Sequence, residues 1–220
     1  RRLERKILKY YPVFWDIKGK KCVIVGGGEV AARKAARLVD CGAKVSVVSP
    51  GLTDDLAGLK RQNLIEHIDD DYAAEYLYGA RLVIGATDDD KTNERISRDA
   101  KSRGIPVNIV DDPEKCDFIL PSVVERGDLT IACGTGGSSP ALARYLREEL
   151  EKTYTEEYAV LTSVLGQLRA GMEKNSGMGR KWFDELMAAG LLEAIRSGDE
   201  GRVKEIVRSI TGQEVSLEQH

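Results

Sequence analysis

Between residues 20 and 110, apolar residues fall in short unbroken runs. The stretches between the runs have apolar positions recurring every three or four residues. The runs at 20–25, 44–48, 64–68, 81–85 and 105–110 predict five strands covered on both faces, because a strand with one wet face alternates apolar and polar residues instead. Residues 29–39 read as a helix stopped by Cys41-Gly42. Residues 91–103 read as another, with Asp89 or Asp90 as N-cap and Gly104 just past its end. Strands alternating with helices imply parallel pairing through right-handed crossovers, so the fold class is α/β with a Rossmann-type parallel sheet.

After residue 110 the pattern changes. Residues 117–124 and 129–133 predict two strands joined through Glu125-Arg126-Gly127-Asp128, a hairpin outside the alternation. From Ser139 onward only helical spacing remains. It is carried by Leu142, Leu146 and Leu150, then by Leu161, Val164, Leu165 and Leu168, and then by Leu186 through Val207. Three to five helices are expected, with Asn175-Ser176-Gly177-Met178-Gly179 as a loop among them. The expected divisions are a dinucleotide-binding domain at 1–120, a small β-containing segment at 121–151 and a helical domain at 152–220.

Composition narrows the class. A hydrophobic share of 42% supports a sizeable core, and a net charge of −3 argues against a nucleic-acid binder. No apolar run approaches the ~20 residues that cross a bilayer. The opening, with Arg1, Arg2, Glu4, Arg5 and Lys6, lacks the pattern of a secretory signal. Cys22, Cys41, Cys116 and Cys133 form no C-x-x-C pair and are expected as buried free thiols of a reducing cytoplasm. With His67 and His220 as the only histidines, no metal site is expected.

Gly26-Gly27-Gly28-Glu29-Val30-Ala31 fits G-x-G-x-x-A and sits between a strand and a helix, the context that makes it a dinucleotide signature. Gly26 permits the tight turn, Gly28 lets backbone approach a pyrophosphate, and the start of the helix offers free N–H groups. The acidic residue expected near the end of the second strand is replaced by Ser49-Pro50, and Ser49 is the candidate for the ribose. No arginine flanks that spot to grip a 2′-phosphate, which favours NAD over NADP. Ligands of such sheets lie beyond the carboxyl ends of the strands, where Thr87, Asp88, Asn108 and Asp111 are also expected. Asp111 is the candidate proton acceptor for a hydride-transfer reaction. A plain chain turn at Asp111-Asp112-Pro113 explains the residues equally well. Gly134 to Pro140 forms a second glycine-rich turn into a helix. Ser138, Ser139 and Arg144 there form either an anion site or, for Ser139, an ordinary N-cap.

Several motifs, taken in order, resemble one family. They are Tyr11-Pro12-Val13-Phe14; Val25 to Ala31 with Lys34; Ala86-Thr87-Asp88-Asp89; Val107 to Pro113; Phe118-Ile119-Leu120-Pro121-Ser122; and Gly136 to Ala143. The chain is similar along residues 10–150 to the precorrin-2 dehydrogenases, including the first module of siroheme synthase. The resemblance implies NAD-dependent oxidation of precorrin-2 to sirohydrochlorin, with Asp111 catalytic and Glu29, Val30, Ser49 and Pro50 at the cofactor. It also implies a homodimer formed through 121–151, and it leaves iron insertion open. The substrate is a polycarboxylate, which Arg144, Arg147, Lys152, Lys174, Arg180 and Lys181 would attract. The competing reading is a non-catalytic NAD(H)-sensing module of a regulator, in which Asp111 and the second glycine turn are merely structural.

Overall fold

A computed structural model describes residues 9–171 and 178–217, which divide into two compact units, Arg1–Leu120 and Pro121–His220. The charged opening at 1–6, Lys174, and Asn175-Ser176-Gly177 of the expected loop lie outside the described residues.

The first unit contains β1 (Lys21–Val25), α1 (Glu29–Asp40), β2 (Lys44–Val48), α2 (Asp54–Arg61), β3 (Ile65–Ile68), a 3₁₀ turn at Ala74–Leu77, β4 (Leu82–Gly85), α3 (Asp90–Ser102) and β5 (Val107–Ile109). The five strands are parallel in the order β3-β2-β1-β4-β5. The order reverses between β1 and β4, and such a switch point opens a crevice at the carboxyl edge. Alternate residues of β1, β2 and β4 feed two separate cores. Cys22, Ile24, Val45, Val47 and Ile84 pack with Ala31, Ala35 and Leu38 of α1. Val23, Val25, Val48 and Val83 pack with Ile96 and Ala100 of α3. Each fully buried Val or Ile contributes about 1.5–3 kcal/mol, which outweighs any single surface pair. Asp89 caps α3, accepting from Lys91 N and Thr92 N, so Asp90 is inside the helix.

The second unit contains β6 (Ser122–Arg126) and β7 (Leu129–Cys133), antiparallel around Gly127-Asp128, followed by α4 (Pro140–Thr153), α5 (Glu157–Ala170), α6 (Met178–Ala188), α7 (Leu191–Arg196) and α8 (Glu200–Thr211). Leu161, Val164, Leu168, Leu186, Leu191, Val203, Ile206 and Val207 form its helical core.

Three expectations need correction. The strand expected from residue 117 begins only at Ser122. Asp117 instead runs beside β5, its N–H donating to Val107 O at 2.8 Å and its carboxylate accepting from Val107 N at 3.2 Å. Met178 and Gly179 belong to α6 and not to a loop. Of the four thiols only Cys22 is buried. Cys41 is exposed because it ends α1 where the chain turns at the surface, and Cys116 and Cys133 are half-buried.

Glu157 ties α5 to α7. Thr155 Oγ1 donates to its carboxylate and Arg196 Nε lies 2.8 Å away, and these two contacts hold the carboxyl down to about 2, against an ordinary 4.5. A lowered carboxylate pKa stabilises the fold fully above pH 4.5, and that stabilisation is lost as pH falls toward 2. Thermal melts should therefore separate the parent from Glu157→Gln at neutral pH and converge near the acid end of that window. A gap independent of pH would contradict this assignment.

Candidate functional site

The carboxyl edge of the sheet is organised by a staircase of backbone bonds. Ser49 N donates to Ile68 O (3.1 Å), Gly26 N to Val48 O (2.9 Å), Ala86 N to Val25 O (2.8 Å) and Val110 N to Gly85 O (2.9 Å). The residues just beyond four neighbouring strands therefore form one row: 49, 26, 86 and 110. Gly28, Glu29, Pro50, Asp88 and Asp111 follow that row and are exposed, while Val30 and Thr87 are half-buried.

The glycines of the first motif do different work. Gly26 has φ +125°, and a Cβ there would lie 2.2 Å from Ala86 O, so it seals the β1 turn against the β4 turn. At Gly27 a Cβ would lie 1.8 Å from Gly51 O and 2.7 Å from Ser49 Oγ. Gly27 O also accepts from Thr53 N at 3.0 Å, joining the β1 and β2 turns. Gly28, by contrast, has open space where its Cβ would be. It precedes α1, whose first intrahelical bond is Ala32 N to Gly28 O, so the N–H groups of Glu29, Val30 and Ala31 have no partner within the helix. A cradle open at Gly28, beside unpaired N–H groups at a positive helix end, fits a dinucleotide pyrophosphate.

The other candidates divide. Ser49 is buried and its hydroxyl donates to Gly51 O at 2.7 Å, so only its lone pairs remain for a ribose hydroxyl. His67 Nε2 lies 2.9 Å from Ser49 O and holds the same turn. Thr87 Oγ1 donates to Asn93 Oδ1 at 3.0 Å, while Asn93 Nδ2 donates back to Thr87 O at 2.8 Å, which locks the β4 turn onto α3. Asn108 is buried and its Nδ2 donates to Phe118 O at 3.0 Å, so its side chain is committed to the protein. Asp111 is exposed and adopts φ +61°, a left-handed conformation that costs a non-glycine residue about 1–2 kcal/mol. Strain of that kind is found where a side chain must be aimed. Lys34, half-buried on α1, senses the Asp111 charge. Burial, and then Arg33, pull the lysine below its usual range, and Asp111 opposes them.

In the second unit, Ser139 caps α4, accepting from Leu142 N at 3.2 Å, which settles its local role as the N-cap. Thr135 Oγ1 also bonds Ser139 N and Ser139 O, both at 3.0 Å. Ser138 and Arg144 are exposed. Sequence reasoning overlooked the packing role of Gly27 and the bonds that Cys116 Sγ makes to Ile109 N and Asp112 O at the foot of the Asp111 turn. The spacing of Gly51 after the second strand gave a weak hint of the former, and nothing in the pattern gave the latter.

Comparisons with known proteins follow the same division. A family model described as "Putative NAD(P)-binding" matches residues 13–122, and one described as "Sirohaem biosynthesis protein central" matches 126–153. The siroheme synthase of Methylobacillus flagellatus is 38% identical over 202 residues, covering 90% of this chain and 43% of its own length. That of Nitrosomonas eutropha is 41% identical over 186 residues, covering 83% and 39%. The chain thus spans less than half the length of these relatives. The solved structure "SirC, precorrin-2 dehydrogenase" matches with a TM-score of 0.75 at 22% identity, covering 93% of this chain and 100% of its own, which shows the shared fold.

Proposed function

We propose that this chain, which belongs to the putative NAD(P)-binding family, is an NAD-dependent dehydrogenase that oxidises precorrin-2 to sirohydrochlorin in siroheme biosynthesis. One observation carries the reading: a dinucleotide cradle open at Gly28 and a strained, exposed carboxylate at Asp111 stand on the same rim of one parallel sheet. The similarity to siroheme synthases supports the choice of substrate. The lack of an arginine flanking Ser49-Pro50 in the sequence supports NAD over NADP.

NAD, when bound, would supply the hydride acceptor. The chain supplies the rest. The free N–H groups of Glu29 and Val30 would hold the pyrophosphate and Ser49 and Pro50 would border the ribose, while the Thr87-Asp88 turn lies beside Gly26 at the switch point. Asp111 Oδ takes the proton released with the hydride. Ser138 and Arg144, exposed at the second glycine turn, offer hydrogen bonds and charge to the substrate carboxylates.

A homodimer through the 121–151 segment belongs to this reading. Leu142, Tyr145 and Leu146 of α4 form an apolar stripe at i, i+3, i+4 spacing, and they are 48%, 57% and 40% exposed. A cytoplasmic setting is supported by four free thiols, and no helix among the described residues is long and apolar enough to cross a membrane. Mixing the protein with precorrin-2 and NAD should yield NADH and sirohydrochlorin in equal amounts. NAD binding without turnover would instead support the sensing module.

A further inference from the structure

The loop bearing Asp111 closes on one sulfur atom. Leaving β5, the chain turns through 110–116 and returns beside β5 at Asp117. Cys116 Sγ sits within that turn. It accepts from Ile109 N at 3.1 Å and from Asn108 Nδ2 at 3.5 Å. Its single proton has two carbonyls in reach, Ile109 O and Asp112 O, each at 3.2 Å. One thiol therefore joins the end of β5, on one side of Asp111, to the residue immediately on its other side. The rest of the loop is anchored independently. Asp112 N donates to Ile109 O at 3.3 Å, Lys115 Nζ pairs with Asp112 at 2.7 Å, and Ser97 Oγ donates to Lys115 O at 2.9 Å. Between these anchors Asp111 is held at φ +61°, a conformation that an unrestrained aspartate would leave. Burial raises the Cys116 thiol pKa, so the proton it donates is retained at neutral pH.

We propose that Cys116 is a positioning residue of the dehydrogenase, its thiol clamping the 109–112 turn so that the Asp111 carboxylate stays aimed over the carboxyl edge of the sheet. The inference rests on the role given to Asp111 above. A serine keeps one donor and two lone pairs at that place, whereas an alanine keeps only the packing against the second core.

Two measurements on the full chain test it. In hydrogen exchange, the peptide covering 107–117 should exchange faster in Cys116→Ala than in the parent and recover in Cys116→Ser, with the β1–β2 region unchanged. Unaltered exchange in the alanine variant overturns the clamp whatever the activity. In turnover of precorrin-2 with NAD, Cys116→Ala should lower kcat by about tenfold to a hundredfold, the scale of a reacting group misplaced by about an ångström, with the Kd for NAD unchanged. The same substitution in an Asp111→Asn background should have no further effect. A further loss there, or a full kcat in Cys116→Ala beside an inactive Asp111→Asn, overturns the positioning role alone. A fully active Asp111→Asn overturns the reading beneath it.

Discussion

Asp111→Asn should lower kcat for NADH formation from precorrin-2 by about 10²–10⁴-fold, the contribution typical of a positioned general base, while leaving the melting temperature close to that of the parent. Asparagine is the informative replacement because of the backbone. With φ +61° the position penalises most side chains, but asparagine tolerates the left-handed region about as well as aspartate. The substitution therefore removes the proton acceptor and keeps the turn. Alanine would remove the carboxylate and strain the loop together, and a loss of activity would then have two causes. Steady-state kinetics beside thermal melts separate them. If Asp111→Asn keeps more than about half of the parent kcat, proton removal does not pass through this residue and the carboxylate is a turn former.

The parallel sheet was legible because its strands are buried on both faces. Val23 and Val25 feed one core while Cys22 and Ile24 feed the other, so the runs stayed continuously apolar. The cap at Asp89 and the stop at Gly104 were legible for the same local reasons. Direction was not legible. Asn108 and Thr87 occupy the predicted rim, yet their side chains turn into the protein toward Phe118 and Asn93, and no spacing rule reports which way an amide or hydroxyl faces. Residues 117–121 look like a strand by composition. They fail as one because Asp117 is tied to Val107 and Phe118 packs into the first core. The left-handed turn at Asp111 was also hidden, because aspartate visits that region only occasionally, and the bonds that surround it here, from Asp112 N to Ile109 O and from Cys116 Sγ to both residues, leave no mark in the pattern.

The three glycines of the first motif should respond to alanine in opposite ways, and the contrast separates folding from cofactor binding. At Gly27 the new Cβ would stand 1.8 Å from a backbone carbonyl, that of Gly51, which cannot swing aside as a side-chain tip would. The β2 turn must move, and with it Thr53 N, which donates to Gly27 O. Forced overpacking costs about 1–3 kcal/mol and more where backbone must shift, so Gly27→Ala should lower the melting temperature by roughly 10 °C or more. Gly26→Ala adds a φ of +125° to a 2.2 Å clash and should be no milder. Gly28 has φ −85° and ψ −177°, extended backbone open to any residue, with nothing near its absent Cβ. Gly28→Ala should melt like the parent, yet its methyl would project into the space reserved for the pyrophosphate and weaken NAD by about tenfold or more. Calorimetric titration with NAD and thermal melts on all three variants decide the matter. If Gly28→Ala binds NAD as tightly as the parent, the dinucleotide does not cross the start of α1, and the placement of the nicotinamide near Asp111 falls with it.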